Sequence, residues 1–252
     1  MAHFELSRRT VILTAGALAI APFFEGVGDA AVLVGMFRYI SLAVRAEGMS
    51  RDDFAKAFLA QARAAEKLEG IARLVFCEIV PGPSSFPPSK LELDGILEVW
   101  IKREHDFETL LGTRSGKKWW ADTNKLFSRN TTYFGREHIF VRPPQEGETV
   151  RAMSLLARKD GWTHRAFVKH WLGIHGPMGT KIDGLVGFAL TEVLRTDLSK
   201  GEKLMPECDG IAEIWGTPKI TPFVRSWFAD GDIFIQREKS YNYYLKDRVA
   251  IA

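Results

Sequence analysis

Two histidines, His170 and His175, carry the residue type and spacing that most directly suggest chemistry in this 252-residue chain. They lie in the run Phe167-Val168-Lys169-His170-Trp171-Leu172-Gly173-Ile174-His175-Gly176-Pro177. Five positions on a regular α-helix separate two side chains by about 140°, so this pair does not chelate one metal ion as a four-residue spacing could. Proton transfer suits it better, because imidazole changes charge near neutral pH. His175 precedes Gly176-Pro177, where a helix should end or kink, and a helix C-terminus favours imidazolium and would hold the pKa near the working pH. On this reading His175 is the acid–base and His170 orients it or the substrate. Arg158 holds an oxyanion or carboxylate, Glu213 also contacts substrate, and Trp171, Trp215, Tyr241 and Tyr244 form apolar walls. The plainer alternative is that a histidine beside Trp171 is a satisfied, half-buried residue.

The frame that positions these residues is a duplication. Arg45, Gly48, Phe54, Lys56 and Leu59 recur as Arg158, Gly161, Phe167, Lys169 and Leu172, all 113 positions on. Gly70 and Glu78 recur as Gly184 and Glu192 at an offset of 114, and Asp94-Gly95-Ile96-Leu97-Glu98-Val99-Trp100 recurs as Asp209-Gly210-Ile211-Ala212-Glu213-Ile214-Trp215 at 115. One unit was copied, and the growing offset is expected to sit in the connections, where insertions are tolerated. The first copy has Ala57 and Ala62 where the second has the two histidines. Only the second copy therefore keeps a candidate site.

Each copy reads as strand, helix, strand, strand, helix, strand. In the first copy these fall at 34–44, 51–66, 71–80, 95–102, 107–127 and 137–141. In the second, a strand at 152–157 leads to a helix capped by Thr163, strands follow at 184–194 and 210–215, Pro222 opens a second helix and 249–251 is the last strand. Residues 31–142 and 143–252 make the two units, joined by the proline-containing linker at 142–147. The order is the split βαβ, ferredoxin-like arrangement, so the fold class is α+β: two βαββαβ repeats that cover each other's open sheet faces and enclose a barrel-like interior. Alternation assigns Leu97, Val99, Ala212 and Ile214 to the helix side, and Glu98, Trp100, Glu213 and Trp215 to the interior. Buried carboxylates need partners, and the repeated Arg45 and Arg158 are the candidates, either as inter-sheet ion pairs or as part of a substrate site.

The run of Arg158, Gly161, Phe167, His170-Trp171, His175, Gly184 and Asp209 to Trp215 resembles the EthD family of the dimeric α+β barrel superfamily. The second copy matches over nearly its full length and the first only in its frame. The resemblance implies an intramolecular pseudo-dimer with a cavity. It also implies a choice among the chemistries of the superfamily, which include isomerases, cyclases, dehydratases, cofactor-free monooxygenases and decarboxylases. The leading expectation is a cofactor-independent acid–base enzyme acting on a small aromatic or enolisable organic substrate. The alternatives are an oxidoreductase using haem or oxygen, with His175 as the haem ligand to test, and a non-catalytic small-molecule binder.

Composition narrows the partners. With 46% apolar and 26% charged residues and a net charge of +3, the chain can bury a core and shows no basic stripe, so nucleic acid is not expected. Two cysteines without CxxC or zinc spacing exclude a disulfide framework and a structural zinc. The GxxxGK stretch at Gly112–Lys117 lacks full P-loop spacing and reads as a basic surface loop. Ser7-Arg8-Arg9 before the uncharged run Thr10 to Phe24, followed by Gly28-Asp29-Ala30-Ala31, resembles a twin-arginine export signal over 1–30, too short for a stable membrane span. A periplasmic protein is expected on that basis, against a cytoplasmic alternative in which the segment is a buried helix. The internal pseudo-dimer leaves the assembly a monomer or homo-oligomer.

Overall fold

The computed structural model describes residues 33–82, 89–144, 150–205, 207–216 and 221–251. The segment expected to direct export, and residues 145–147 of the expected linker, lie outside them.

Alternating side chains build the strands. The first half runs β1 (Leu33–Arg45), α1 (Arg51–Ala64), β2 (Ile71–Val80), β3 (Gly95–Ile101), α2 (Asp106–Gly112), α3 (Arg114–Asn124) and β4 (Phe127–Val141). The second runs β5 (Val150–Leu156), α4 (His164–His170), a π turn (Trp171–His175), α5 (Gly176–Gly179), β6 (Leu185–Lys200), β7 (Gly210–Gly216), α6 (Pro222–Phe234) and β8 (Tyr241–Ile251). Helix starts follow capping chemistry. Thr163 Oγ1 accepts from the Ala166 N–H at 3.2 Å, and Thr221 Oγ1, one residue before Pro222, accepts from the Val224 N–H at 3.2 Å.

The strands form a closed barrel in the order β1-β3-β2-β8-β5-β7-β6-β4, with β4 returning to β1. Within it the order β4-β1-β3-β2 is matched by β8-β5-β7-β6. Antiparallel pairing of β2 with β8 and of β4 with β6 joins the two sets, so edge strands meet edge strands and no open sheet edge remains. The protein is thus α+β with an eight-stranded barrel and helices outside it.

Three apolar clusters fill the layers. Ile40, Leu42, Ile96, Met153, Ile211 and Leu245 lie in the barrel interior. Phe54, Phe58, Phe76, Leu97, Val99 and Trp119 pack under α1 and α3, and Phe167, Trp171, Phe188, Leu190, Trp227 and Phe234 under α4 and α6. Each fully buried aromatic here contributes roughly 1.5–3 kcal/mol. Ala212 and Ile214 pack against the last of these clusters, as alternation predicts.

Several elements differ from the sequence reading. The helix expected over 107–127 is two, because Thr113 adopts an extended conformation and its hydroxyl accepts from the Gly116 N–H to start α3. The GxxxGK stretch is therefore the α2–α3 corner and the first turns of α3, not a loop. β4 begins at Phe127, ten residues before the expected strand, and β8 begins at Tyr241 where only 249–251 was expected. In β8 the charged run Lys246-Asp247-Arg248 hides the alternation, but Asp247 points inward and is paired there.

Candidate functional site

The interior expected to hold a cavity is crossed at one level by a buried ionic array. Arg38 bonds Glu98 at 3.0 Å, Glu213, and Thr191 Oγ1 at 2.9 Å, with Glu137 at 3.6 Å. Arg151 pairs with Glu98, with Glu213 and with Asp247 at 2.9 Å, and touches Cys77 Sγ at 3.1 Å. Arg38 and Arg151 are 113 residues apart and each binds the glutamates of both halves. Trp100 and Trp215 stack on this layer, 5.3 Å and 5.1 Å from the guanidinium carbons of Arg38 and Arg151. Glu213 and Trp215 therefore serve cohesion between the halves rather than lining an open site. The expected partners, Arg45 and Arg158, instead pair with Asp94 and Asp209 at the strand ends. Arg38 and Arg151 were legible as the repeat Arg38-x-x-Ser41-Leu42-x-x-Arg45 and Arg151-x-x-Ser154-Leu155-x-x-Arg158.

The histidines sit outside the barrel, between α4 and α6. Asp230 of α6 joins them: its Oδ1 is 3.1 Å from His170 Nε2 and its Oδ2 is 2.8 Å from His175 Nδ1. The spacing argument fails here because the helix does not stay regular. The Gly176 N–H bonds back to the Trp171 carbonyl, an i→i+5 bond that stacks residues five apart and turns both imidazoles to one side. Nor does the helix end at His175, since it continues through Pro177 to Gly179. Gly176 is required at this point, because a Cβ would strike the Phe140 ring at 2.4 Å.

Asp230 was not singled out from sequence, although a signal exists. Trp227-Phe228-Ala229-Asp230 repeats Trp119-Trp120-Ala121-Asp122 at an offset of 108, the offset that also relates the capping residues Thr113 and Thr221. In the first half Asp122 bonds Lys118 and Lys125 instead.

The same tryptophans locate the extra residue in the second half. Trp119 Nε1 donates to the Gln61 carbonyl at 2.8 Å, and Trp227 Nε1 to the His175 carbonyl at 3.0 Å. These acceptors are 114 apart, whereas Leu59 and Leu172 are 113 apart. The offset grows inside the helix, at the π turn, and not in a connection. Gln61, rather than Ala62, is the spatial counterpart of His175.

His175 is 5% exposed. Its ring stacks on Trp227 at 4.5 Å and meets Phe234 edge-on at 5.3 Å. Burial pushes its pKa down to about 4, outweighing the upward pull of Asp230. It is neutral at pH 7, contrary to the expectation of a pKa near the working pH. With Asp230 ionised, both ring nitrogens bonded to it carry hydrogens, leaving His175 Nε2 as an acceptor.

The other predicted site residues are scattered. Trp171 is wholly buried between α4 and the sheet, where Gly210 leaves room for its ring. Tyr241 packs against the barrel-interior cluster and the ring of Tyr244, on β8, lies over Gly82 after β2, so neither joins a wall around the histidines. Arg158 lines a cavity of about 380 Å³ together with Trp162, Cys208 and Asp209. His164, absent from the sequence prediction, bonds Asp209 at 3.0 Å and lies 3.8 Å from Glu192, and these two carboxylates raise its pKa to about 9. Trp162 connects this cavity to the histidine pair, its indole standing edge-on to His170 at 5.7 Å.

Among the described residues no group of three or more His, Cys, Asp or Glu side chains is arranged to hold a metal ion, and no helix is long and apolar enough to cross a membrane. No family model matches the chain, and no curated protein matches it. Solved structures do. An anthrone oxidase-like protein superposes with a TM-score of 0.58 at 9% identity, covering 87% of this chain and 96% of its own. A provisionally assigned monooxygenase from Lactobacillus acidophilus NCFM superposes with a TM-score of 0.51 at 10% identity, covering 86% of this chain and 95% of its own. At such identities the likeness shows a shared fold and nothing of activity.

Proposed function

We propose that this protein is an enzyme that moves protons on a small aromatic or enolisable organic substrate with His175 as the base. The observation that carries this reading is Asp230, one carboxylate bridging two imidazoles at 2.8 and 3.1 Å. Asp230 fixes the His175 tautomer by accepting from Nδ1, so Nε2 takes the substrate proton, and the resulting imidazolium lies against the carboxylate that stabilises it. His170 holds the other carboxylate oxygen and keeps Asp230 in place. Returning the proton to a different atom completes an isomerisation or primes an elimination.

A second reading is an oxygen-using reaction. It is favoured by the names of the two fold neighbours, one anthrone oxidase-like and one a provisionally assigned monooxygenase. Both readings begin with the same deprotonation. Neither reading calls for a resident cofactor, and a Soret band after haem addition would point to haem on His175 instead.

The proposal extends to the chain's organisation. We read the matching strand orders as two tandem ferredoxin-like units of the EthD type, the second active and the first scaffold, exported through the twin-arginine segment as a monomer. Protein from the native host beginning near Ala31 supports export, and a mature cytoplasmic protein beginning at Met1 or Met36 overturns it.

Deuterium exchange into the benzylic position of phenylpyruvate tests the chemistry, because this probe is small, aromatic and enolisable. Exchange above the buffer rate is expected, and an oxygen electrode run in parallel separates the two readings. Saturable binding with no exchange would identify a non-catalytic binding protein.

A further inference from the structure

The first half serves as an internal control for the second, separating frame from function. At the corner where β5 leads into α4, Arg158 bonds the Trp162 carbonyl through Nε at 2.9 Å and pairs with Asp209. The first half repeats this frame: Arg45 bonds the Met49 carbonyl at 2.8 Å and pairs with Asp94. An arginine–aspartate pair kept in a half that lacks counterparts of His170 and His175 is architecture. What differs is informative. Trp162 stands where the first half has Met49, Lys159 where it has Ala46, His164 where it has Arg51, and Cys208 where it has Leu93.

The last difference opens space. Leu93 is 5% exposed and packs into the barrel-interior cluster. The shorter Cys208 packs against the same cluster and is also part of the shared wall of two cavities, of about 380 and 190 Å³, which meet at Cys208 and Asp209. The larger falls within the range of small-molecule sites. Trp162 is its aromatic lining residue, set among the charged Lys159, Asp160, Glu207 and Asp209. The named contacts of Arg158 engage Nε and Nη1, which leaves Nη2 as a charge-assisted donor on a side chain 42% exposed.

We propose that this groove binds a small aromatic carboxylate, ring on Trp162 and carboxylate on Arg158. The assignment rests on the proton-transfer reading only in identifying that molecule as the substrate.

The test is equilibrium binding of 3-phenylpropionate, an aromatic carboxylate that does not report on turnover, followed by calorimetry or by chemical-shift changes at the Trp162 indole. Saturable binding is expected, with 3-phenylpropanamide about tenfold weaker because it lacks the charge. Cys208→Leu, which restores the first half's own residue, is expected to abolish binding, and Trp162→Met, which does the same beside it, to weaken it. Thermal midpoints check that both variants fold, and either alone suffices. His175→Asn is expected to bind normally, so loss of exchange with intact binding faults only the chemistry, and exchange without binding in the groove faults only the groove. The proposal is overturned if the wild type does not saturate, if the amide binds as well as the acid, or if the folded variants keep wild-type affinity.

Discussion

His175 reaches Asp230 at 2.8 Å although the helix that carries it holds one residue more than its first-half counterpart. The extra residue is absorbed as the π turn Trp171–His175, while α1 stays regular through Ala64. Deleting Gly173 should return the helix to α geometry and set His175 four positions from His170, about 40° around the helix, where the first half has Gln61. The expected outcome is a folded protein, since the first half is stable with the regular helix, that keeps the Asp230 contacts and with them proton-transfer activity. Loss of the Nδ1 contact in the folded deletion protein, read from its imidazole NMR signals, would show that the extra residue itself positions His175.

Removing either arginine of the interior array should be costly. Arg38→Met or Arg151→Met leaves buried glutamates without a partner, a loss of about 3–5 kcal/mol that urea denaturation would read directly. The two variants should behave alike, because Arg38 and Arg151 bind the same glutamates from opposite sides. A change below about 1 kcal/mol in either would mean the array is not holding the halves together.

Two histidines should give stability opposite pH slopes. Burial holds the His175 pKa near 4, below the 6.5 of the free side chain, so its contribution is present above pH 6.5 and is lost as pH falls toward 4. Asp209 and Glu192 raise His164 to about 9, so its contribution is complete below pH 6.5 and is lost as pH rises through 9. Thermal midpoints across pH should therefore flatten on the acid side in His175→Asn and on the alkaline side in His164→Gln. Unchanged profiles would contradict both assignments.

A fragment of the second half alone would expose the outer edges of β6 and β8, which pair with β4 and β2 in the intact barrel. It should dimerise or aggregate, and sedentation of a stable monomer by ultracentrifugation would contradict the need for edge pairing.

The duplication carried most of the fold. The inward placement of Glu98 and Glu213 and the outward placement of Leu97 and Ile214 followed from alternation alone. Long strands with inward charges were harder to see: Asp247 reads as a loop residue until Arg151 is opposite it. The candidate site was legible as a pair of histidines but not in its geometry, because a 100° helical step places His170 and His175 on different sides, and no local pattern in the run announces a π turn. Asp230 lay in a repeated Trp-x-Ala-Asp pattern whose offset, 108, differs from those of the strands, and its partner Asp122 is an ordinary surface carboxylate. Arg158 was read as a ligand for substrate, whereas its bonds through the backbone N–H, Nε and Nη1 all belong to the frame that Arg45 repeats.

The central claim is that neutral His175, held by Asp230, accepts the substrate proton. Deuterium exchange into phenylpyruvate, compared between the wild type, His175→Asn and Asp230→Asn at pH 7, tests it most directly. The account predicts a 10²–10⁴-fold loss for His175→Asn, a loss also for Asp230→Asn, and no inflection in the wild-type rate near pH 6.5, because the base titrates near 4. Full exchange in a folded His175→Asn protein would contradict it and make the histidine a packing residue.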